Sequence, residues 1–358
     1  MEQNHNGVEL LDLIQQSAFC VCDGKVTKVN PAAAALLIEP GTEVQSILHT
    51  GADEYNTFDG GCLYLTLSIA GQRLGASVRR MQGFDVFCLE EEPDAHLQAL
   101  ALAARELREP LSNVMIVADK FFPEAAGGDS KAQEQLSHLN RGLYQMLRIV
   151  NNMSDASLYT ADTDARQEIR DIDAVLNEIF LRAAALTEHT SVTLHYTGLS
   201  EPVYTLVDSQ KLERMVFNIL SNAIKFTPDG GTVEAKLTRR EKKLYLSICD
   251  SGSGIHENVR GNLFSRYLRQ PSLEDSRYGL GLGMVLIRST AALHGGTVLI
   301  DQPENAGTRI TVSFSIRQGD LAVQAPRFRI DYAGERDHGL IELSDVLPAH
   351  LYDPDSIN

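Results

Sequence analysis

The 358-residue sequence predicts a multidomain α+β protein built from three consecutive parts: an α+β domain, an antiparallel helical hairpin and an α/β sandwich. Three observations lead there. At about 150 residues per domain the chain is too long for one hydrophobic core. The apolar pattern changes along it, from a period of two, to spacings of three and four, to alternating helix and strand patterns. The composition is globular, 43% apolar and 22% charged, and no apolar run nears the roughly 20 residues that span a bilayer.

Charge and cysteine content narrow the function classes. The 48 acidic residues against 32 Lys and Arg leave a net charge of −16, which repels phosphate backbones and anionic membranes. Nucleic acid is therefore not an expected partner, and protein surfaces are. The N-terminal MEQNHNGVEL lacks the basic-then-apolar pattern of a secretory signal, so a cytoplasmic location is expected. The five cysteines are odd in number and form no CxxC pair, which implies neither a disulfide framework nor a zinc site. Cys20 and Cys22 share a strand face and read as small buried apolar groups.

The first part, residues 1–92, opens with AFCVC, the turn Asp23-Gly24 and KVTKVN, a hairpin with a strong turn signal. After Asn30, Pro31 starts the helix AAAALL. YLTLSIAG and RLGASVRRMQGFDVFCL then alternate apolar and polar residues between glycines, as one-face-buried antiparallel strands do. This order of strand, turn, strand, Pro-started helix and late strands resembles a PAS sensor domain.

In the second part, residues 93–165, Leu97, Leu100, Ala104, Leu107, Leu111, Val114, Ala118 and Phe121 recur at three and four, and the seam runs on across Pro110. PEAAGGDS supplies a turn, after which Leu136, Leu139, Leu143, Met146, Val150 and Met153 repeat the spacing. Two long amphipathic helices bury poorly alone, so a dimeric four-helix bundle is the expected arrangement, with a monomeric hairpin packed on another domain as the alternative. The third part, residues 166–318, runs through VLNEIFLRAAAL, VTLHYTG, VYTLVD, KLERMVFNILSNAIKF, the hairpin TVEAKLTRREKKLYLSICD, a helix from Met284 to Leu293, and the strands TVLI and RITVSFSI. Residues 319–358 read as an acidic C-terminal tail in which only LIELSDVL suggests order.

Chemistry concentrates in the third part. Asn218, Asn222 and Lys225 fall at i, i+4 and i+7 and share one helix face. Amide oxygens are hard ligands suited to Mg²⁺ and an ammonium neutralises phosphate, although a solvated face would look the same. Asp250, at a strand end, can accept from an exocyclic amine, while Gly252 and Gly254 let the backbone pass close to a planar ring. Gly279, Gly281 and Gly283 open a helix whose N-H groups suit phosphate. No Lys-Ser/Thr follows, so this is not a Walker P-loop.

In this order, NILSNAIKFTP, DSGSGI, LFSRY and GLGLGM resemble the N, G1, F and G2 boxes of the Bergerat-fold (GHKL) ATPases, and within them the sensor histidine kinases of two-component systems. The resemblance implies a histidine-kinase-type ATP-binding sandwich using ATP and Mg²⁺. Asn222 would hold the metal, Asn218 and Lys225 would face the phosphates, and Asp250 would read adenine. Gly281 and Gly283 would close on the phosphates, with residues 268–278 as lid. Gyrases, mismatch-repair ATPases, chaperones and anti-sigma kinases carry a general-base Glu four residues before the metal-binding Asn. Here that position is Asn218, an amide that takes no proton near neutrality. The expected phosphate acceptor is therefore a side chain on the helical hairpin rather than water.

The hairpin contains ARELREPLSNV, similar to a phosphoacceptor motif of His-Glu-Leu-Arg-Thr-Pro-Leu type. Glu106, Leu107, Arg108, Pro110 and Leu111 match, but the acceptor position is Arg105. A neutral imidazole can attack phosphate, whereas a guanidinium stays protonated and lacks a free lone pair. Glu109 stands where relatives place Thr or Asn for phosphatase chemistry, and its carboxylate would repel a phosphoaspartate. His96, about 13 Å along the helix from Arg105, and His138 both lack the Glu that follows an acceptor. The resemblance thus implies a homodimer, or a heterodimer with another histidine kinase, a response regulator as partner, and degenerate catalysis. Transfer to a partner chain or a non-standard residue is the alternative. Arg105 could instead engage the acidic pocket of a regulator.

Overall fold

A computed structural model describes residues 11, 14, 16–90, 95–126, 130–158, 167–254, 282–303, 307–317 and 336–353. The N-terminal layer is a five-stranded antiparallel sheet, β1 (Ala18–Cys22), β2 (Lys25–Val29), β3 (Cys62–Ile69), β4 (Gln72–Met81) and β5 (Phe84–Leu89), with three short helices, α1 (Pro31–Ala35), α2 (Val44–Ile47) and α3 (Ala52–Thr57). The β1–β2 turn forms because Asp23 and Gly24 both take positive φ, at 50° and 75°, which matches the twist of a tight hairpin. Asn30 then caps α1: its buried Oδ1 accepts from Ala33 N at 2.9 Å and from Ala18 N at 3.1 Å. Cys20 is buried as expected, while Cys22 lies half-exposed at the strand end, its Sγ 3.3 Å from Gly83 O.

Two long helices follow, α4 (Ala95–Ala126) and α5 (Ser130–Leu158). Helix α4 continues through Pro110. The heptad seam divides into two faces. Ala104, Met115 and Ala118 of α4 and Leu143, Leu147 and Val150 of α5 are buried, whereas Leu107, Val114, Phe121, Leu139 and Met146 stay exposed. The side chains of Leu97 and Leu100 lie outside the described residues.

The third layer comprises β6 (Glu168–Asp171), α6 (Ile172–Thr187), β7 (Thr193–Thr197), β8 (Tyr204–Val207), α7 (Ser209–Phe226), β9 (Thr232–Arg240), β10 (Lys243–Asp250), α8 (Leu282–Leu293), β11 (Val298–Asp301) and β12 (Arg309–Ser315). Helices α6, α7 and α8 cover one sheet face, and Ile179, Phe180, Phe217, Ile219, Leu246 and Phe314 fill the space between. Strand β6, which carries no distinct sequence signal, pairs with β8 in a small separate sheet.

The two sheets are one. Edge strand β3 of the first layer pairs antiparallel with edge strand β11 of the third, in the register Tyr64↔Val298, Leu63↔Leu299 and Cys62↔Ile300. The resulting ten strands run β2-β1-β5-β4-β3-β11-β12-β10-β9-β7. Arg288 of α8 reinforces the joint: it is buried, lies 2.5 Å from Glu90 Oε1 and stacks over the Tyr64 ring at 4.8 Å. Lys243 Nζ reaches Glu54 Oε2 at 2.6 Å across the same boundary. The segment ends in α9 (His338–Glu342) and a 3-10 turn at Ala349–Tyr352, both packed against the helices.

Candidate nucleotide site

Helix α7 sets the site because one of its faces is polar within a buried helix. Asp208 caps it, accepting from Lys211 N at 3.0 Å, and Thr227 with Pro228 ends it. Asn218 is only 2% exposed; its Nδ2 donates to Arg214 O at 2.9 Å, which turns Oδ1 toward α8. There a Cβ on Gly283 would come within 3.0 Å of Asn218 Oδ1, so a residue without a side chain is what lets the two helices approach. Asn222 and Lys225 follow on the same face, half-buried and therefore reachable from solvent. Asn222 makes no side-chain hydrogen bond among the described residues. An amide oxygen left open beside an ammonium fits Mg²⁺ and phosphate.

Asp250 ends β10 at the other side. It is buried, and its Oδ1 accepts from Gly252 N at 2.8 Å and Thr308 N at 3.1 Å. Oδ2 accepts nothing among the described residues. Burial raises the carboxyl pKa above its usual value, opposed by the N-H groups of Thr308 and Gly252. Gly252 is required sterically, since a Cβ there would sit 2.4 Å from Phe226 O, and Gly254 takes φ 75°. A carboxyl with one oxygen fixed by the backbone and the other open is an oriented acceptor for an exocyclic amine. Gly279, Gly281, the LFSRY stretch and the lid span 268–278 lie outside the described residues.

The hairpin meets this site at its glycine-box end. Ala104 is fully buried in one cluster with Val150, Met153 and Leu282, and Leu282 is the first residue of α8. The next residue, Arg105, is exposed, as are Glu106 and Glu109. Arg108 turns inward instead: its Nη2 donates to Asn151 Oδ1 at 3.3 Å, and burial together with the neighbouring Arg214 charge lowers its pKa. His138 is exposed on α5, and the side chain of His96 is outside the described residues.

Two buried groups on the helices that carry the site or packed against them escape sequence reasoning. His294 is buried at the end of α8; its Nε2 accepts from Asp208 N at 3.1 Å and its Nδ1 contacts Thr290 O at 2.7 Å. Glu342 is fully buried, 3.2 Å from Arg214 Nε and 3.6 Å from Arg148 Nε. A lone His and a lone tail Glu carry no pattern that would single them out.

Residues 207–318 match the model of the histidine kinase-, DNA gyrase B- and HSP90-like ATPases. Histidine kinase P4 of Formosa agariphila is 27% identical over 237 residues, covering 65% of this chain and 17% of its own length. The sensor histidine kinase TmoS of Ectopseudomonas mendocina is 26% identical over 332 residues, 89% of this chain and 33% of that protein. Over residues 207–318 the chain is similar to these ATPases, and over longer spans it is similar to sensor histidine kinases. It spans a third or less of each of these two relatives. Full-length ShkA in complex with AMPPNP is similar in fold, with a TM-score of 0.50 at 20% identity, covering 64% of this chain and 48% of that one. The histidine-kinase ATPase domain implies ATP binding. The amide pair, the ammonium and the oriented Asp250 carboxyl suit that nucleotide with Mg²⁺. Among the described residues no helix is long and apolar enough to cross a membrane.

Proposed function

We propose that the chain binds ATP-Mg²⁺ in two-component signalling as a degenerate kinase or regulatory scaffold rather than by phosphorylating its own hairpin. One observation carries this reading: the acceptor position, directly after the Ala104 that packs against the head of α8, bears the exposed guanidinium of Arg105. Asn222 would hold the metal, with Asn218 and Lys225 toward the phosphates and Asp250 on adenine. Gly252, Gly254, Gly279, Gly281 and Gly283 would supply backbone room. Glu106 would orient an acceptor imidazole were one present. ATP would supply the γ-phosphoryl group, and the guanidinium of Arg105 offers no free lone pair to meet it there.

The antiparallel order β2-β1-β5-β4-β3 with the Asn30-capped helix supports a PAS-like sensor layer for residues 1–92. The exposed stripe Leu107, Val114 and Phe121, with Leu139 and Met146 on α5, supports a homodimeric four-helix bundle built on residues 93–165. A response regulator is the partner this arrangement serves, in the cytoplasm. The purified chain incubated with labelled ATP tests the reading. Bound nucleotide without acid-labile label on the protein is expected, and acid-labile label on the wild-type chain would refute the degenerate assignment in favour of transfer to another chain or residue.

A further inference from the structure

The segment 336–353 lies beyond the residues that match the ATPase family, yet several of its apolar side chains are fully buried. Ile341, Leu343, Leu347 and Tyr352 are fully buried in the cluster that also holds Leu143, Tyr144 and Leu147 of the hairpin and Phe180 and Phe217 of the ATP-binding layer. It touches both layers by polar contacts as well. Toward the hairpin, Asn140 Nδ2 donates to Tyr352 O at 2.9 Å, Arg141 Nε to Ser344 O at 2.9 Å, and Arg148 Nη1 to Asp345 Oδ2 at 2.5 Å. Toward the ATP-binding layer, His338 Nδ1 meets Glu213 Oε2 at 2.9 Å and Asp337 Oδ2 meets Arg182 Nη2 at 3.5 Å. Glu342 belongs to both, lying between Arg148 of α5 and Arg214 of α7.

We infer that residues 336–353 form a strap that fastens the ATP-binding layer to the helical hairpin, so that the nucleotide site moves relative to the Arg105 face only when the strap lets go. Three features favour fastening over passive covering. The strap contacts α5, α6 and α7 and, through Arg336 and Asp119, α4, its apolar anchors alternate with paired charges that give it one register, and Glu342 is a single carboxylate shared by arginines of the two layers. A buried acid between two guanidiniums is costly to leave half-paired, so the contact tends to hold as a whole or release as a whole. The fastening itself is independent of the functional reading above; only its consequence for ATP rests on that reading.

The test is hydrogen exchange of the full chain without nucleotide, comparing wild type with Tyr352→Ala and with the shape-conserving Glu342→Gln. The informative region is one the strap does not line, the separate cluster of Ala104, Val150, Met153 and Leu282. Fastening predicts at least ten-fold faster exchange at 150–153 and 282–288 in both variants, while strands 18–22 and 84–89 keep wild-type protection. Faster exchange confined to the strap and its direct contacts would overturn the inference in favour of a passive tail. Loss of protection throughout, the sensor strands included, in both variants would also overturn it, making the segment an inseparable part of the core. Should only Tyr352→Ala fail to fold, Glu342→Gln decides alone. No outcome depends on ATP binding or phosphotransfer, so failure here and failure of the proposed function remain distinct.

Discussion

Substituting Asp250 by Asn isolates nucleotide recognition from folding. In the native site Oδ1 takes the N-H groups of Gly252 and Thr308, at 2.8 and 3.1 Å, and holds two loops in place. An Asn side chain can keep both contacts through its own oxygen, but it then aims an NH₂ at the place where the exocyclic amine of adenine would donate. A hydrogen bond to an ionisable group is worth about 1.5–3 kcal/mol. At about 1.4 kcal/mol per decade, ATP affinity should fall about 10- to 150-fold. Guanine carries an oxygen acceptor at that position, so discrimination against GTP should narrow in the same variant.

Calorimetric titration with ATP and GTP measures the first effect directly, and thermal shift gives an independent check. With ATP at one hundred times the wild-type Kd, binding stabilises the fold by about 2.7 kcal/mol; a hundred-fold weaker variant retains about 0.4 kcal/mol. Without nucleotide the Asn variant should melt close to wild type. Asp250→Ala should not, because it leaves the Gly252 and Thr308 N-H groups without their partner, at about 1–3 kcal/mol each. An Asn variant that is folded and binds ATP as tightly as wild type would refute the placement of adenine against Asp250.

Arg105→His restores the neutral nucleophile on an exposed helix position and should bring acid-labile phosphorylation; absence of label despite bound ATP would show that the block extends beyond this side chain. Replacing both Leu107 and Phe121 with Glu puts two charges into the exposed stripe and should convert a dimer to monomer by sedimentation, with helix content retained. For His294, burial lowers the pKa from 6.5, so the unfolded chain takes up the proton first. Its contribution to stability is complete above about pH 6.5 and is lost as pH falls from there toward the lowered folded value. Urea unfolding between pH 5 and 8 should show that decline, and His294→Gln should flatten it.

The parts of the fold that were legible in the sequence are those whose cause is local. Asp23-Gly24 announces a hairpin because only certain residues tolerate two positive φ values in succession, and Asn30-Pro31 announces a capped helix for a similar reason. Helix α7 is legible because Asn218, Asn222 and Lys225 recur at helical spacing among apolar residues between Met215 and Phe226. The β3–β11 joint left no such trace: it is made by main-chain groups of two edge strands more than 200 residues apart, and edge pairing asks little of side chains. Of the strap only the ordered stretch LIELSDVL was legible, and its docking was not, for the complementary reason. Its apolar residues look ordinary over so short a span, and the arginines that select Glu342 and Asp345 lie on α5 and α7. The heptad seam was half legible. Periodicity finds the apolar positions of α4, but not that Ala104 and Ala118 face inward while Leu107, Val114 and Phe121 face out.

These non-local contacts bear on what ATP does in such a molecule. A kinase that phosphorylates its own hairpin has to carry the nucleotide to the acceptor, which asks for few contacts between the layers. Here the ATP-binding layer is held from two sides. Strand β11 and Arg288 join it to the N-terminal layer, and residues 336–353 join it to the hairpin. Arg288 lies on α8, the helix that begins at Leu282 and Gly283 beside Asn218, so one helix links the Asn218 face both to Glu90 and Tyr64 and to Ala104 beside Arg105. On the proposed reading, with Asn218 unable to activate water and Arg105 unable to attack, the energy of ATP binding would go into the relative placement of the layers. Under the proposed function, nucleotide occupancy would act as a conformational input shared with the N-terminal sheet, as a scaffold requires.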